Sequence, residues 1–187
     1  MKKQPERTAI TRSILIEAFL ELCKNKPFDK ITISEISAKA GYNRSTFYQY
    51  FNDVHHLLSC IEDEMLEYIK DTVVHKIGKV RPEKFFVDEF MRIHEDKRYI
   101  LKLLLGGSLN TFPSKLKKTL IPLFAEQMHM SMDDEQTIYK LDFYLSGIIS
   151  IISRWVTSDA PMPPEEYALL IRQIVEGMSK SKLFPVL

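Results

Sequence analysis

Apolar residues recur at intervals of three and four along most of the chain, the spacing of a buried helical face, and no stretch alternates long enough to make a strand. Ile14, Leu15, Ala18, Phe19 and Leu22 form the first such stripe and predict a helix from Thr8 to Lys24. Before it, Met1 to Arg7 reads as a polar tail whose Lys2, Lys3 and Arg7 either reach a polyanion or touch nothing. Lys26 to Lys30 then turn the chain, with Phe28 and Ile31 as plugs for a small core. Thr32 and Glu35 fit the S/T-x-x-E capping box, after which Ile33, Ile36 and Ala40 carry a short helix that Gly41 can stop. Asn43 caps a second short helix, whose Phe47 and Phe51 return to the same core.

The pattern stays helical to the end. Asp53 caps a fourth helix from Val54 to about Lys76, closed by Gly78. Pro82 opens a helix running to Asp96, and a short one follows from Tyr99 to Leu105, before Gly106 and Gly107. Ser114 starts another, with Pro122 as a kink. Asp133 or Asp134 caps the next, which carries Tyr139, Phe143, Leu145, Ile148, Ile149, Ile152 and Val156. The loop SDAPMPP precedes a last helix from Pro164 to Ser179. The expectation is an all-α protein with a three-helix helix-turn-helix domain at 1–53 and a larger helical bundle at 54–187.

The short helical pair leaves Tyr42, Arg44, Ser45, Thr46, Tyr48, Gln49 and Tyr50 on its outer face. Arg and Gln make bidentate contacts with base edges, whereas hydroxyls hold phosphates and fix register. In a helix-turn-helix the second helix enters the major groove by its N-terminal residues, here Arg44, Ser45 and Thr46. The same pattern also describes a plain helical corner with exposed tyrosines, or a helical adaptor that binds protein without entering a groove.

Composition narrows these readings. With 45% hydrophobic residues the chain can bury a sizeable core. Its net charge of +1 argues against binding of nucleic acid by bulk charge, but residues 1–55 hold nine Lys/Arg against six Asp/Glu, while the remainder holds 17 against 19. The basic excess therefore sits with the helix-turn-helix. Cys23 and Cys60 give no disulfide framework and suit a reducing compartment. The five histidines lack the spacing of a metal site, and no cofactor is expected. No nucleophile elbow, glycine-rich phosphate loop, zincin motif or paired-cysteine motif points to an enzyme. The basic start leads into an apolar run broken by Glu17 and Glu21, and YLSGIISIISRWV is too short to span a bilayer, so a cytoplasmic protein is expected.

These residues carry a resemblance. Residues 8–58 resemble the DNA-binding domain of TetR-family (tetracycline-repressor-like) transcriptional regulators, whose signature runs T-x-x-x-I-A-x-x-A-G-V-S-x-x-T-x-Y-x-x-F. Thr32, Ile36, Ala40, Gly41, Tyr42, Asn43, Thr46, Tyr48 and Phe51 stand at the matching places. The family usually has a lysine at the start of the fourth helix, where it meets a phosphate. Here Val54 stands there, followed by His55 and His56, so that contact is either absent or taken over by His55.

The resemblance implies a TetR-like fold of about nine helices that binds a palindromic double-stranded DNA operator as a homodimer, most simply as a repressor, with an activator as the variant. Arg44, Ser45 and Gln49 are the expected base contacts. Thr32, Thr46, Tyr48 and Tyr50 are the expected phosphate contacts, and Tyr42 serves as either. The last two long helices bear apolar residues over so much of their circumference that either a larger core or a partner copy must cover them. TetR-like proteins pair through these helices, which places Ile148, Ile152, Trp155, Leu170 and Ile174 at a dimer interface. The aromatic and methionine stripe of Phe85, Phe86, Phe90, Met91, Tyr99, Phe112, Phe124, Met128 and Tyr144 fits a plain core or an adaptable pocket. The resemblance implies a pocket for a small-molecule effector, with Phe86, Phe90, Met91, Tyr99, Phe124, Met128 and Tyr144 as its lining.

Overall fold

The computed structural model describes residues 5–76, 91–92, 97–106, 111–159 and 161–179. Every regular element among them is helical, as the pattern requires. The order is α1 (Pro5–Cys23), a 3-10 turn (Phe28–Lys30), α2 (Ile33–Lys39), α3 (Arg44–Phe47), α4 (Val54–Lys76), α5 (97–106), α6 (Thr111–Gln127), α7 (Glu135–Thr157) and α8 (Pro164–Ser179). Of the helix expected from Pro82 to Asp96, only Met91 and Arg92 fall among the described residues, and both are helical. The chain forms two compact units, Met1–Met65 and Leu66–Leu187.

In the first unit α1 packs on α2 and α2 on α3. Leu15, Ala18, Phe19, Phe28, Ile31, Ile36, Phe47, Phe51, Leu57, Leu58 and Ile61 are all buried, so both phenylalanines of the recognition segment and both plugs of the 26–31 turn enter one core. The first half of α4 belongs here, since Arg12 of α1 pairs with Glu64 and its guanidinium lies 5.5 Å from the Phe51 ring centre. Burial pushes the Cys23 thiol up to about 12, which makes it a packing group and not a nucleophile.

In this first unit two boundaries differ from the sequence reading. Helix α1 begins at Pro5 and not at Thr8, because proline lacks only an amide that the first turn leaves unbonded. The helix expected to run on toward Phe51 ends at Phe47. Beyond it the Gln49 amide donates to Thr46 O at 3.1 Å and the Tyr50 amide to Phe47 O at 3.0 Å, three residues back in each case. The tightened turns bring the Phe51 ring to 5.5 Å from the Phe47 ring, both essentially without exposure.

In the second unit α6 packs on α7, where Lys117 Nζ donates to Asp142 Oδ1 at 2.8 Å and to Ser146 Oγ at 3.0 Å. Helix α6 starts at Thr111, ahead of the expected Ser114, because Pro113 sits in its first turn, where no amide is needed. Asp134 is the cap of α7 and accepts from the Gln136 amide at 3.2 Å. The end of α5 lies so close to α7 that a Cβ on Gly106 would stand 2.9 Å from Thr157 Cγ2. Ser153 Oγ donates to Leu105 O at 3.0 Å across the same contact. No helix among the described residues is long and apolar enough to cross a membrane.

Candidate nucleic-acid interface

The corner between α2 and α3 is built by local chemistry at three points. Thr32 and Glu35 form the complete capping box: Thr32 Oγ1 accepts from the Glu35 amide, while Glu35 Oε2 accepts from the Thr32 amide and from Thr32 Oγ1, each at 2.8 Å. Lys26 Nζ donates to the other oxygen of Glu35 at 2.7 Å. The lysine hydrogen bond, followed by those from Thr32, holds the Glu35 carboxyl down at about 2.

At the far end of α2, Gly41 has φ of 73°, and the helix closes as a Schellman motif: the Tyr42 amide donates to Ser37 O at 2.9 Å and the Gly41 amide to Ala38 O at 3.2 Å. Asn43 then opens α3. Its Oδ1 accepts from the Thr46 amide at 2.9 Å, from Ser45 Oγ at 2.6 Å and from Thr46 Oγ1 at 3.0 Å. One amide oxygen thus fixes three donors at the N-terminus of the recognition helix.

Each residue expected on the DNA side can now be placed. Arg44, Ser45, Tyr48 and Gln49 are exposed, Tyr48 at 58%, and Tyr42, Thr46 and Tyr50 are half-buried. The Tyr48 ring stands edge-on to Phe47 at 5.9 Å between centroids, which aims a rigid phenol outward. Arg44 donates from Nε and Nη2 to Ser34 Oγ of α2, at 2.9 and 2.6 Å. Thr32 is exposed, but its hydroxyl and amide hydrogens are both given to Glu35. Ser45 and Thr46 likewise give their hydroxyl hydrogens to Asn43, which leaves their oxygens free to accept.

His55 is exposed and stands edge-on to Phe28 at 5.8 Å. His56 is held more tightly: its Nδ1 accepts from the Asn52 amide at 3.0 Å, and its own amide donates to Asp53 Oδ1 at 2.7 Å. The bond to Nδ1 leaves the ring proton of the neutral imidazole on Nε2. The sequence singled out His55; it gave no weight to His56 or Ser34. The signal for His56 was present in Asn52 four residues before it, whereas the Ser34 contact crosses a turn and has no short-range signature.

In the second unit Phe112, Phe124, Met128 and Tyr144 are buried together with Leu116, Leu120, Leu141 and Leu145. Met91 is half-buried, but Tyr99 is 61% exposed and stands apart from them, since it occupies the outer side of α5 while Leu101, Leu104 and Leu105 take the inner side. Phe86 and Phe90 lie outside the described residues. A cavity of about 160 Å³ lies elsewhere, between Arg98, Trp155, Val156 and the Pro161–Pro164 loop.

Of the residues expected at a pairing face, Ile148 and Trp155 are spent inside the chain. Trp155 stacks on Tyr167 at 4.4 Å, and its indole N–H donates to Met162 O at 2.7 Å. Ile152 and Ile174 are half-buried and Leu170 is exposed. The apolar side chains that α7 does present to solvent are Ile138, Tyr139 and Phe143, the last two 69% and 68% exposed and one helical turn apart. Gly147, a further turn along, is open.

The chain is similar to known proteins in sequence and in fold. Over 110 residues the chain is 28% identical to the uncharacterised HTH-type transcriptional regulator YvdT of Bacillus subtilis, a match covering 55% of each chain. Over 67 residues it is 36% identical to the HTH-type dhaKLM operon transcriptional activator DhaS of Lactococcus lactis, covering 35% of this chain and 36% of that one. The matches thus span about half the length of the first curated relative and about a third of the second. In fold it is similar to the fatty acid degradation regulator FadR of Bacillus halodurans, with a TM-score of 0.68 at 16% identity over 94% of this chain and 96% of that one. It is also similar to a TetR transcriptional regulator of Streptococcus agalactiae, with a TM-score of 0.67 at 18% identity over 91% and 96%. Residues 15–58 match the family described as bacterial regulatory proteins, tetR family, and residues 81–177 match the transcriptional regulator C-terminal region. The second match alone spans more than half of the 187 residues, and on both together the chain belongs to the TetR family of bacterial transcriptional regulators.

Proposed function

We propose that the protein is a sequence-specific repressor that occupies a palindromic operator as a homodimer and leaves it when a small-molecule effector binds. It acts in the cytoplasm, where its duplex is, and carries out no catalysis. The observation that carries this reading is the outward row of Arg44, Ser45, Tyr48 and Gln49 on a corner whose every turn is capped. Arg44 reads a base pair, and Ser45 accepts from a base amino group, because its hydroxyl hydrogen is held by Asn43. Gln49 is the second base contact. Tyr48 and Tyr50 donate to phosphates, Tyr42 serves on either side, and the N-terminus of α4 with His55 and His56 meets the backbone between them. Thr32 and Thr46 reach phosphates only after releasing Glu35 and Asn43. Two such recognition helices about 34 to 36 Å apart would read successive major grooves.

The effector binds in the second unit, beside Phe124, Met128 and Tyr144. By linkage it must bind the DNA-free form better than the DNA-bound form. Footprinting on the protein's own upstream region, followed by titration of that duplex, tests the whole. Affinity should fall steeply with salt. Arg44→Ala should cost about 1 to 3 kcal/mol and relax preference at one base pair, while Tyr48→Phe weakens all sequences alike. A salt-independent or absent duplex affinity would instead leave a protein-binding adaptor. The likeness to DhaS favours activation as the second reading of sign. Transcription in vitro from the footprinted promoter decides it: a fall on adding the protein supports the repressor, and a rise supports the activator.

A further inference from the structure

We infer that Ser34 is the positioning residue that sets base specificity at the interface, by holding Arg44 edge-on so that its other edge is presented as a fixed fork. The inference rests on the DNA-reading role proposed for Arg44. A guanidinium has two usable double edges, one made by Nε and Nη2 and the other by Nη1 and Nη2. The first is closed on a single acceptor, Ser34 Oγ, at 2.9 and 2.6 Å. A hydroxyl oxygen has two lone pairs, so both bonds are satisfied at once. The outer pair of N–H groups makes no hydrogen bond among the described residues.

Two bonds to one atom fix both the position and the plane of the guanidinium. An arginine on α3 alone would sweep through many rotamers, and ordering it would cost part of the binding free energy. Ser34 lies ten residues away on α2, in the second position of a helix whose start is clamped by the Thr32–Glu35 box. The anchor is therefore itself anchored. What the outer edge presents is two donors side by side, and the base-pair edge that offers two adjacent acceptors in the major groove is the O6/N7 edge of guanine. The serine thus selects guanine without touching it.

The test uses the full chain and duplexes recovered by selection from a randomised DNA library. Parent, Ser34→Ala, Ser34→Thr, Arg44→Ala and the double variant are titrated against the recovered duplex and all its single base-pair substitutions. Ser34→Ala should lower discrimination about three- to tenfold at one G·C pair, the same pair that Arg44→Ala loses. Its binding to unrelated duplex at low salt and its salt slope should be unchanged, which a merely destabilised protein would not show. Ser34→Thr, which keeps the oxygen, should restore the preference, and the double variant should be no worse than Arg44→Ala. If Ser34→Ala keeps the parental base profile while Arg44→Ala loses it, Ser34 has no positioning role. If Arg44→Ala also keeps every preference, the role of Arg44 falls first and takes this inference with it. If the parent recovers no duplex at all, the proposed function itself is wrong.

Discussion

Glu35 accepts from Lys26, from the Thr32 amide and from the Thr32 hydroxyl, and so gathers three donors on one carboxylate at the start of α2. Those bonds favour the charged form, and the carboxyl is held at about 2, against about 4.5 when free. A group whose value is depressed on folding stabilises the fold fully above its unfolded value and loses that contribution as pH falls toward the folded one. The stability advantage of the parent over Glu35→Gln should therefore be constant above about pH 5 and shrink between about 4.5 and about 2. Urea unfolding of both proteins across that window checks it, and an advantage independent of pH would exclude the linkage. Ser37, two residues further on, is the opposite case. Its Oγ is buried and has no hydrogen-bond partner among the described residues. Replacing it by alanine removes an unsatisfied hydroxyl from a helix interior and should raise stability by about 0.5 to 1 kcal/mol. A lowered thermal midpoint for Ser37→Ala would mean that the hydroxyl has a partner after all.

At the scale of the element, the corner depends on Gly41 and Asn43 for different reasons. Around Gly41 a Cβ would meet nothing within 4 Å, so Gly41→Ala is penalised only by its φ of 73°, about 1 to 2 kcal/mol. Asn43→Ala removes the side-chain acceptor of the Thr46 amide, which keeps only Asn43 O at 3.1 Å, and frees two hydroxyls, a loss of about 1 to 2 kcal/mol. The two should be similar in thermal shift but unlike in DNA binding, since only Asn43 holds the side chains of Ser45 and Thr46. Equal effects on operator affinity would show that the cap has no part in orienting them. What the sequence made legible follows the same division. Thr32, Gly41, Asn43 and Asp53 were readable, and the cap of α7 was narrowed to Asp133 or Asp134, because a cap is made by residues within a few positions of one another. The early end of α3 was not, because it is set by two aromatic rings seeking one core. Nor was the bond from Arg44 to Ser34, which forms only once the corner has closed.

For the whole molecule the question is which apolar surface a second copy would cover in the proposed homodimer. The family resemblance placed Ile148 and Trp155 there on a periodicity that counts apolar positions and cannot see which are taken by the chain's own core. Trp155 is taken by Tyr167 and Ile148 by the packing of the second unit. Tyr139 and Phe143 are not, and Gly147 beside them leaves room for another helix to approach. On α8, Leu169 and Leu170 are exposed at 56% and 37%. A two-fold axis through such a face would set each of these side chains against its own copy or a near neighbour. A charge at its centre would then be buried against a like charge. Phe143→Arg should accordingly convert the proposed homodimer to monomer in sedimentation, with helicity unchanged, and binding to the proposed operator should weaken because one half-site is then read alone. Trp155→Ala should do the reverse: its loss should cost about 3 to 5 kcal/mol of stability through the cavity it leaves, with association intact until the chain unfolds. If Phe143→Arg stays dimeric while Trp155→Ala separates the copies without melting them, pairing uses the opposite side of α7.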